Sequence, residues 1–509
     1  MSQFIVYPEP FYNRRHELDA LERAWNRPLP GGQMALLYGR RRLGKTYLLQ
    51  RFFADGPDGS GSNDGNGSTG LPRPHCYYLA DQTTAGTQRA ELAAQILEAL
   101  PEPGLSPAEI AVSWNALLRY VSQAARVQAE QTKTRFGLIL DKFPYLVEQS
   151  PGLPSVLQAW WDRDGLHSPL FVVLCGSQLS AMAALGAESQ PLYGRFNAGV
   201  SLLSPLRYDE VAAFYAGQPH YGTPETLTMY GILGGTPRYH ALVNPARPLA
   251  EQVVDVLLRP QSPLASEVQF LLGSQQVRDP APYNAVLGAI AGGTTQYGQI
   301  LNVAGVERGS LPHLLRTLGD LGWIRRELPF DEIGNRRALY RVADPFLAFW
   351  YRFVGPLASA LQFSDPALVY EERIAPRLAD YIGWHVFEEV CHQWLQHYGR
   401  NRLGLTVREA GRYWSRDGQV EIDLMARLEG GAYLYGECKW SGRGTVGMGV
   451  YNALQAKVAR LPKEQYRRDA WYALFSAGGF ALDLRAVAEN ADNRLALVGP
   501  EDLLPRIGV

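Results

Sequence analysis

The sequence predicts an α/β multidomain protein, with a parallel-sheet domain first and a second, smaller α/β domain at the C-terminus. Three observations predict it. Continuous apolar runs that end in polar residues, "MALLYG", "RFGLILD" and "LFVVLCG", alternate with helical stretches over residues 1–205. Such runs suit parallel strands buried on both faces. "GRRRLGKT" stands between the first of those strands and a helix. Finally, "EIDLMARLEGGAYLYGECKW" reads as a hairpin that carries acidic and basic residues at alternating positions.

Bulk properties bound the rest. The 509 residues exceed what one core organises, and roughly 150 residues per domain suggests about three domains. Apolar residues make up 46% of the chain, enough for several cores. A net charge of −1 argues against a nucleic-acid binder of generally basic character, so any contact with DNA has to use a local patch. The four cysteines, Cys76, Cys175, Cys391 and Cys438, form no C-x-x-C pair, which predicts neither a zinc site nor a disulfide framework. "MSQFIVYPEPFYNRR" lacks the apolar centre of a signal peptide. No apolar run reaches the roughly 18 residues of a membrane span. A reduced, cytoplasmic chain with no membrane contact is expected.

The elements follow in order. "MALLYG" is a strand and "KTYLLQRFF" a helix. Residues 54–74, rich in Gly, Ser, Asn and Asp, cannot build a core and read as a flexible insertion. "HCYYLA" resumes the sheet. Residues 206–282 turn helical, with "LRYDEVAAFYAG" and "TLTMYGILGG". Over 283–345, "YNAVLGAIAGG", "QYGQILNVAG" and "SLPHLLRTLGDLGWI" predict three helices, and "WIRREL" with "RRALYRV" a two-stranded wing. That is a winged-helix arrangement. Its third helix offers His313 and Arg316, and its wing Arg325, Arg326, Arg336 and Arg337, for phosphate contact. An aromatic-rich helical connector spans 346–379, and an α/β domain spans 380–509.

"GRRRLGKT" fits G-x-x-x-x-G-K-[ST], and its place between strand and helix is the context that supports a phosphate-binding loop. From Gly39 to Gly44 the backbone N–H groups would wrap the phosphates of ATP. Lys45 would reach the β and γ oxygens, and Thr46 would ligate Mg²⁺. The acid-tipped strand "LILDKF" places Asp141 to hold the same ion. The next residue, where a glutamate would orient the attacking water, is Lys142. Three readings stay open: Lys142 points away while another acid acts, ATP is bound but poorly hydrolysed, or the lysine is a sporadic or engineered change.

In "GECKW", Glu437 and Lys439 are two residues apart and project from one face of a strand, while Cys438 points to the other. Asp423 precedes Glu437 by thirteen intervening residues and reaches the same spot from the neighbouring strand. Glu388 or Glu389, on the helix "YIGWHVFEEVCHQWLQHY", offers a further carboxylate. Carboxylates of this kind hold Mg²⁺ or Mn²⁺, and the lysine stabilises phosphodiester charge. The competing account is a solvated strand face with a Glu–Lys ion pair.

"FYNRRHELDAL", "YGRRRLGKTYLL", "LILDKFPYL", "VVLCGSQLSAM", "PLYGRF" and "GGTPRYH" occur in that order, and together they resemble the archaeal-type ATPases of the AAA+ and STAND group. "YRVADPFLAFWYRFV" extends the resemblance toward the C-terminus. It implies an AAA+-like P-loop domain with residues 206–282 as a helical lid. It further implies that Arg14 and Glu17 lie beside the adenine, that Ser177 reads the γ-phosphate and that Arg195 is an arginine finger given across a subunit contact. Gly235 and Pro237 would close on the base. The family normally has Asp-Glu where this chain has Asp141-Lys142.

The order Glu388, Asp423, Glu437-x-Lys439 resembles the PD-(D/E)XK nucleases, with Ile422 in place of the proline. It implies a restriction-endonuclease-like fold for 380–509. Together these predict an ATP-controlled, metal-dependent nuclease. Its partners would be nucleic acid, DNA before RNA, and a second copy of the chain or another protein. A role with mobile DNA follows from the resemblance alone. A nucleotide-binding switch with weak turnover, and a winged-helix DNA-binding regulator, are the alternatives.

Overall fold

A computed structural model describes residues 13–54, 72–273, 279–330, 338–440, 444–463, 466, 469–490, 492 and 494–504. Most of the low-complexity insertion, together with Arg336 and Arg337, lies outside these residues. The chain divides into two compact units, Met1–Ser204 and Pro205–Val509.

The first unit is built on strands β1 (Gln33–Tyr38), β2 (His75–Leu79), β3 (Phe136–Asp141), β4 (Leu170–Gly176) and β5 (Gly199–Leu202). They pair in the order β2-β3-β4-β1-β5, every pair parallel. Helices α1 (Arg15–Trp25), α2 (Lys45–Ala54), α3 (Ala85–Ala99), α4 (Trp114–Thr132), α5 (Phe143–Gln149), α6 (Leu153–Arg163) and α7 (Leu179–Leu185) surround it. Side-chain alternation explains why the strands are apolar throughout. Ala35, Leu37, Ile139, Val173 and Cys175 face one core with Leu48, Phe52 and Phe53 of α2. Met34, Leu36, Leu138, Leu140, Val172 and Leu174 face another, with Leu117, Val121 and Leu157. A sheet buried on both faces has no polar side, so period-2 alternation is absent from its sequence.

The second unit begins with helices, including α8 (Thr223–Leu233) and α9 (Pro237–His240). Next come α10 (Ala281–Ala291), α11 (Tyr297–Ala304) and α12 (Leu311–Asp320), then an antiparallel ribbon of β6 (Ile324–Glu327) and β7 (Leu339–Val342). Leu311, Leu314, Leu315 and Leu318 make the buried stripe of α12, and His313 and Arg316 stay exposed on its other side.

A long helix, α13 (Glu388–Leu403), leads into a mixed sheet. Its strands are β8 (Val407–Trp414), β9 (Glu421–Leu428), β10 (Tyr433–Lys439), β11 (Trp471–Ser476) and β12 (Leu495–Val498). Their order is β12-β11-β10-β9-β8. The β8–β9 and β9–β10 pairs are antiparallel, and β10–β11 and β11–β12 are parallel. Helix α14 (Met448–Ala459) joins β10 to β11, and α15 (Leu482–Glu489) joins β11 to β12. Leu424, Ala426, Leu434 and Cys438 pack with Val390, Cys391 and Trp394 of α13. Met425, Tyr433, Tyr435 and Leu474 pack with Tyr451, Leu454 and Val458 of α14. The two helices therefore sandwich β10, and its odd-numbered residues face α14.

Candidate functional site

The loop 39–44 leaves the carboxyl end of β1 and opens α2, where backbone N–H groups and the helix dipole favour an anion. Gly44 stands at φ +88°, a conformation that a side chain rarely adopts. Lys45 is buried, and its ammonium donates to the carbonyls of Gly39 at 2.7 Å and Arg40 at 2.9 Å. Burial lowers its pKa against the attraction of Asp141. The lysine is thus held inside the loop by bonds that a phosphate can replace. Arg14 donates to the Leu43 carbonyl at 3.2 Å and to Glu17 at 3.1 Å, which places this pair directly on the backbone of the loop.

Asp141 ends β3 and is 5% exposed. One of its oxygens accepts from the Thr46 hydroxyl at 2.9 Å and from the Tyr77 hydroxyl; the other accepts from the Lys142 amide at 2.7 Å. Thr46 and Asp141 therefore meet as an Mg²⁺-holding pair requires, and the donor set fits that ion: a hydroxyl and a carboxylate, both oxygen ligands. With nucleotide bound, Lys45 would neutralise phosphate charge, and the ion would offset the remainder. Sequence reasoning missed Tyr77, whose place beside Asp141 follows from β2 pairing with β3 rather than from any motif.

Lys142 is the residue before α5, in a left-handed conformation at φ 54°. Its ammonium lies over the Tyr145 ring, 5.8 Å from the centroid. The side chain thus runs along α5. Ser177 follows directly on β4 and is half-buried. Arg195 makes a two-bond pair with Asp162, at 3.0 and 2.8 Å, which is the ordinary ion pair that competes with an arginine finger. Gly235 and Pro237 belong to the second unit, Pro237 opening α9.

In the C-terminal sheet the register brings Asp423 and Glu437 together. The β9–β10 ladder pairs Leu424 with Gly436, and one step beyond that rung stand the two acids. Asp423 accepts from the Cys438 amide at 2.8 Å. Burial and then the charge of Glu437 raise the pKa of Asp423. Lys439 donates to Glu437 at 2.8 Å. Burial works against the charge of Lys439, but its bond and attraction to Glu437 outweigh that and hold its pKa up. Lys457 of α14, absent from the sequence reading, donates to both oxygens of Glu437, at 2.9 and 2.8 Å. Its signal was a lysine on the helix that follows the E-x-K strand.

Glu388 does not join them as a further metal ligand. It is held by Arg412 at 3.1 Å and Arg341 at 3.3 Å, and burial pushes its carboxyl up to about 7 against the pull of both arginines. Glu389 is paired with Arg325. Among the described residues no group of three or more His, Cys, Asp or Glu is placed to hold a metal ion. Asp423 and Glu437 suit one divalent ion at most, with Lys439 and Lys457 beside it. The same ion pairs correct the expectation for the wing. Arg325 is turned onto Glu327 and Glu389, so it is not offered to phosphate.

The comparisons agree with the first site. Residues 11–243 match a family described as an ATPase domain predominantly from Archaea. This is an ATP-binding P-loop ATPase domain. Residues 350–449 match a family described as archaeal and bacterial proteins of unknown function. An uncharacterised protein of Methanocaldococcus jannaschii is 28% identical over 436 residues, which cover 84% of this chain and 87% of that protein. An ATP-binding protein of the same organism is 50% identical over 42 residues, 8% of this chain and 68% of that one. Among solved structures, a Walker-type ATPase of Pyrococcus abyssi is similar over 67% of this chain and 96% of its own, at 20% identity and a TM-score of 0.48. Among the described residues no helix is long and apolar enough to cross a membrane.

Proposed function

We propose that this chain is an ATP-controlled, metal-dependent nuclease, with nucleotide held at Lys45, Thr46 and Asp141 and phosphodiester cleavage at Asp423, Glu437 and Lys439. The observation that carries the reading is the convergence of Asp423, Glu437 and Lys439 on one face of a mixed sheet, with Glu437 only 6% exposed. A solvated strand face has no reason to bury its carboxylate.

In this reading Asp423 and Glu437 would hold a divalent ion, which would supply polarisation of the phosphodiester and an activated water. Lys439 donates to a phosphate oxygen as negative charge grows there. Glu437 keeps that ammonium in place. Residues 283–345 act as a winged helix, with the exposed His313 and Arg316 of α12 toward nucleic acid. Arg195 reaches a neighbouring copy by giving up Asp162.

The test is cleavage of labelled single- and double-stranded DNA and RNA with Mg²⁺ or Mn²⁺, with and without ATP. Metal-dependent cutting is expected, with DNA the better substrate, and Lys439→Ala lowers it by a hundredfold or more, the loss of roughly 3 kcal/mol of transition-state stabilisation. Cutting that survives in Lys439→Ala, or no cutting of any substrate, removes the reading.

Lys142 favours a second reading, a nucleotide switch with weak turnover. A cation where the water-orienting acid belongs cannot accept a proton while charged. On that reading Lys142→Glu raises phosphate release at least tenfold. No gain would take Lys142 out of the argument.

A further inference from the structure

We propose that Lys457 is a second phosphate-binding lysine of the C-terminal site, so that the scissile phosphodiester is bracketed by Lys439 on β10 and Lys457 on α14. The inference rests on the nuclease reading above and adds a residue from a different element of the fold.

Both ammonium groups meet one carboxylate. Lys439 lies 2.8 Å from Oε1 of Glu437, and Lys457 lies 2.9 and 2.8 Å from Oε1 and Oε2. A structural ion pair needs one lysine, and Lys439 already supplies it. The second comes from a helix, twenty residues beyond Glu437, and ordering its long side chain costs rotamer entropy. The exposures define a rim and a floor. The Lys439 and Lys457 side chains are 43% and 31% exposed, and that of Glu437 is 7% exposed. An ammonium has three donors, and the bonds to Glu437 use two on Lys457 and one on Lys439. An anion approaching from solvent meets the two lysines first.

In hydrolysis the water oxygen bonds to phosphorus, the bond from phosphorus to one ester oxygen breaks, and the proton lost by the water is balanced by one gained by the leaving oxygen. Lys457 enters as a donor to a non-bridging oxygen and neither gains nor loses a proton.

The experiment uses the full chain, with Lys457→Met and Lys457→Arg variants checked for folding by circular dichroism. Binding of a labelled oligonucleotide is measured in Ca²⁺ over a salt series, and cleavage in Mn²⁺. Lys457→Met is expected to lower cleavage kcat/KM by about 10- to 100-fold and to reduce the slope of log affinity against log salt by about 1, the signature of one lost phosphate contact. Lys457→Arg should restore the slope. A Lys457→Met protein with the wild-type slope and rate overturns the inference and leaves the nuclease reading standing; Lys457 is then an ordinary ion pair. A wild-type protein that binds without cutting ends the nuclease reading, and the salt slope alone then decides Lys457. No binding at all overturns both.

Discussion

Lys45, Asp141 and Glu437 share one design: a charged group inside the protein, held by partners that the proposed function would exchange for a ligand. Lys45 rests on loop carbonyls, Asp141 on Thr46, Tyr77 and the Lys142 amide, and Glu437 on two lysines. Each carries enough bonds to tolerate burial without being locked into a single arrangement. His240 shows the opposite case, a buried polar group with both ring nitrogens taken up by the protein itself. Its Nδ1 accepts from the Tyr215 hydroxyl, and its Nε2 donates to the Gly234 carbonyl at 2.6 Å. Burial pushes its pKa down to about 4 from 6.5. The folded state therefore prefers the neutral ring, so its contribution to stability is complete above pH 6.5 and is lost as pH falls toward 4. A displacement of that size corresponds to about 3 kcal/mol. Urea unfolding of the second unit should weaken over that window, and His240→Gln should flatten the dependence. A variant as acid-sensitive as the wild type would remove His240 as the cause.

At the level of elements, close backbone contacts decide what sequence can change. A Cβ on Gly235 would stand 1.9 Å from the Leu206 carbonyl oxygen, and Leu206 also donates its amide to the Gly235 carbonyl at 2.7 Å. Backbone cannot swing aside as a side chain does. Gly235→Ala should therefore lower the melting temperature of the second unit, with a cost of about 2–3 kcal/mol, at the upper end for overpacking. Calorimetry showing an unchanged transition would contradict the contact. The three-layer sheet was legible in "MALLYG", "RFGLILD" and "LFVVLCG" because strands buried on both faces leave a continuous apolar run. The pairing of Glu437 with Lys439 was legible because strands alternate with period two. What stayed hidden depends on contacts between distant segments. Nothing in "HVFEEV" announces that Arg341 and Arg412 take Glu388, or that Arg325 takes Glu389. Nor does spacing reveal that α14 turns Lys457 toward β10. Tyr77 was invisible for the same reason, since only the β2–β3 register brings it to Asp141.

At the scale of the whole molecule, the two units, Met1–Ser204 and Pro205–Val509, have cores of their own, so each site can be disabled while the other keeps its architecture. A chain with net charge −1 also has no general attraction to nucleic acid, so on the proposed reading the burden of binding would fall on local cations such as Lys439 and Lys457. The central claim is that nucleotide at the first site governs cleavage at the second. It is tested most directly by measuring ATP hydrolysis and DNA cleavage side by side in the wild type, Lys45→Ala and Glu437→Gln. The account predicts that Glu437→Gln hydrolyses ATP at the wild-type rate and cuts at least a hundredfold more slowly. It predicts that Lys45→Ala loses both activities. Lys45→Ala cutting at the wild-type rate, with or without ATP, would contradict it.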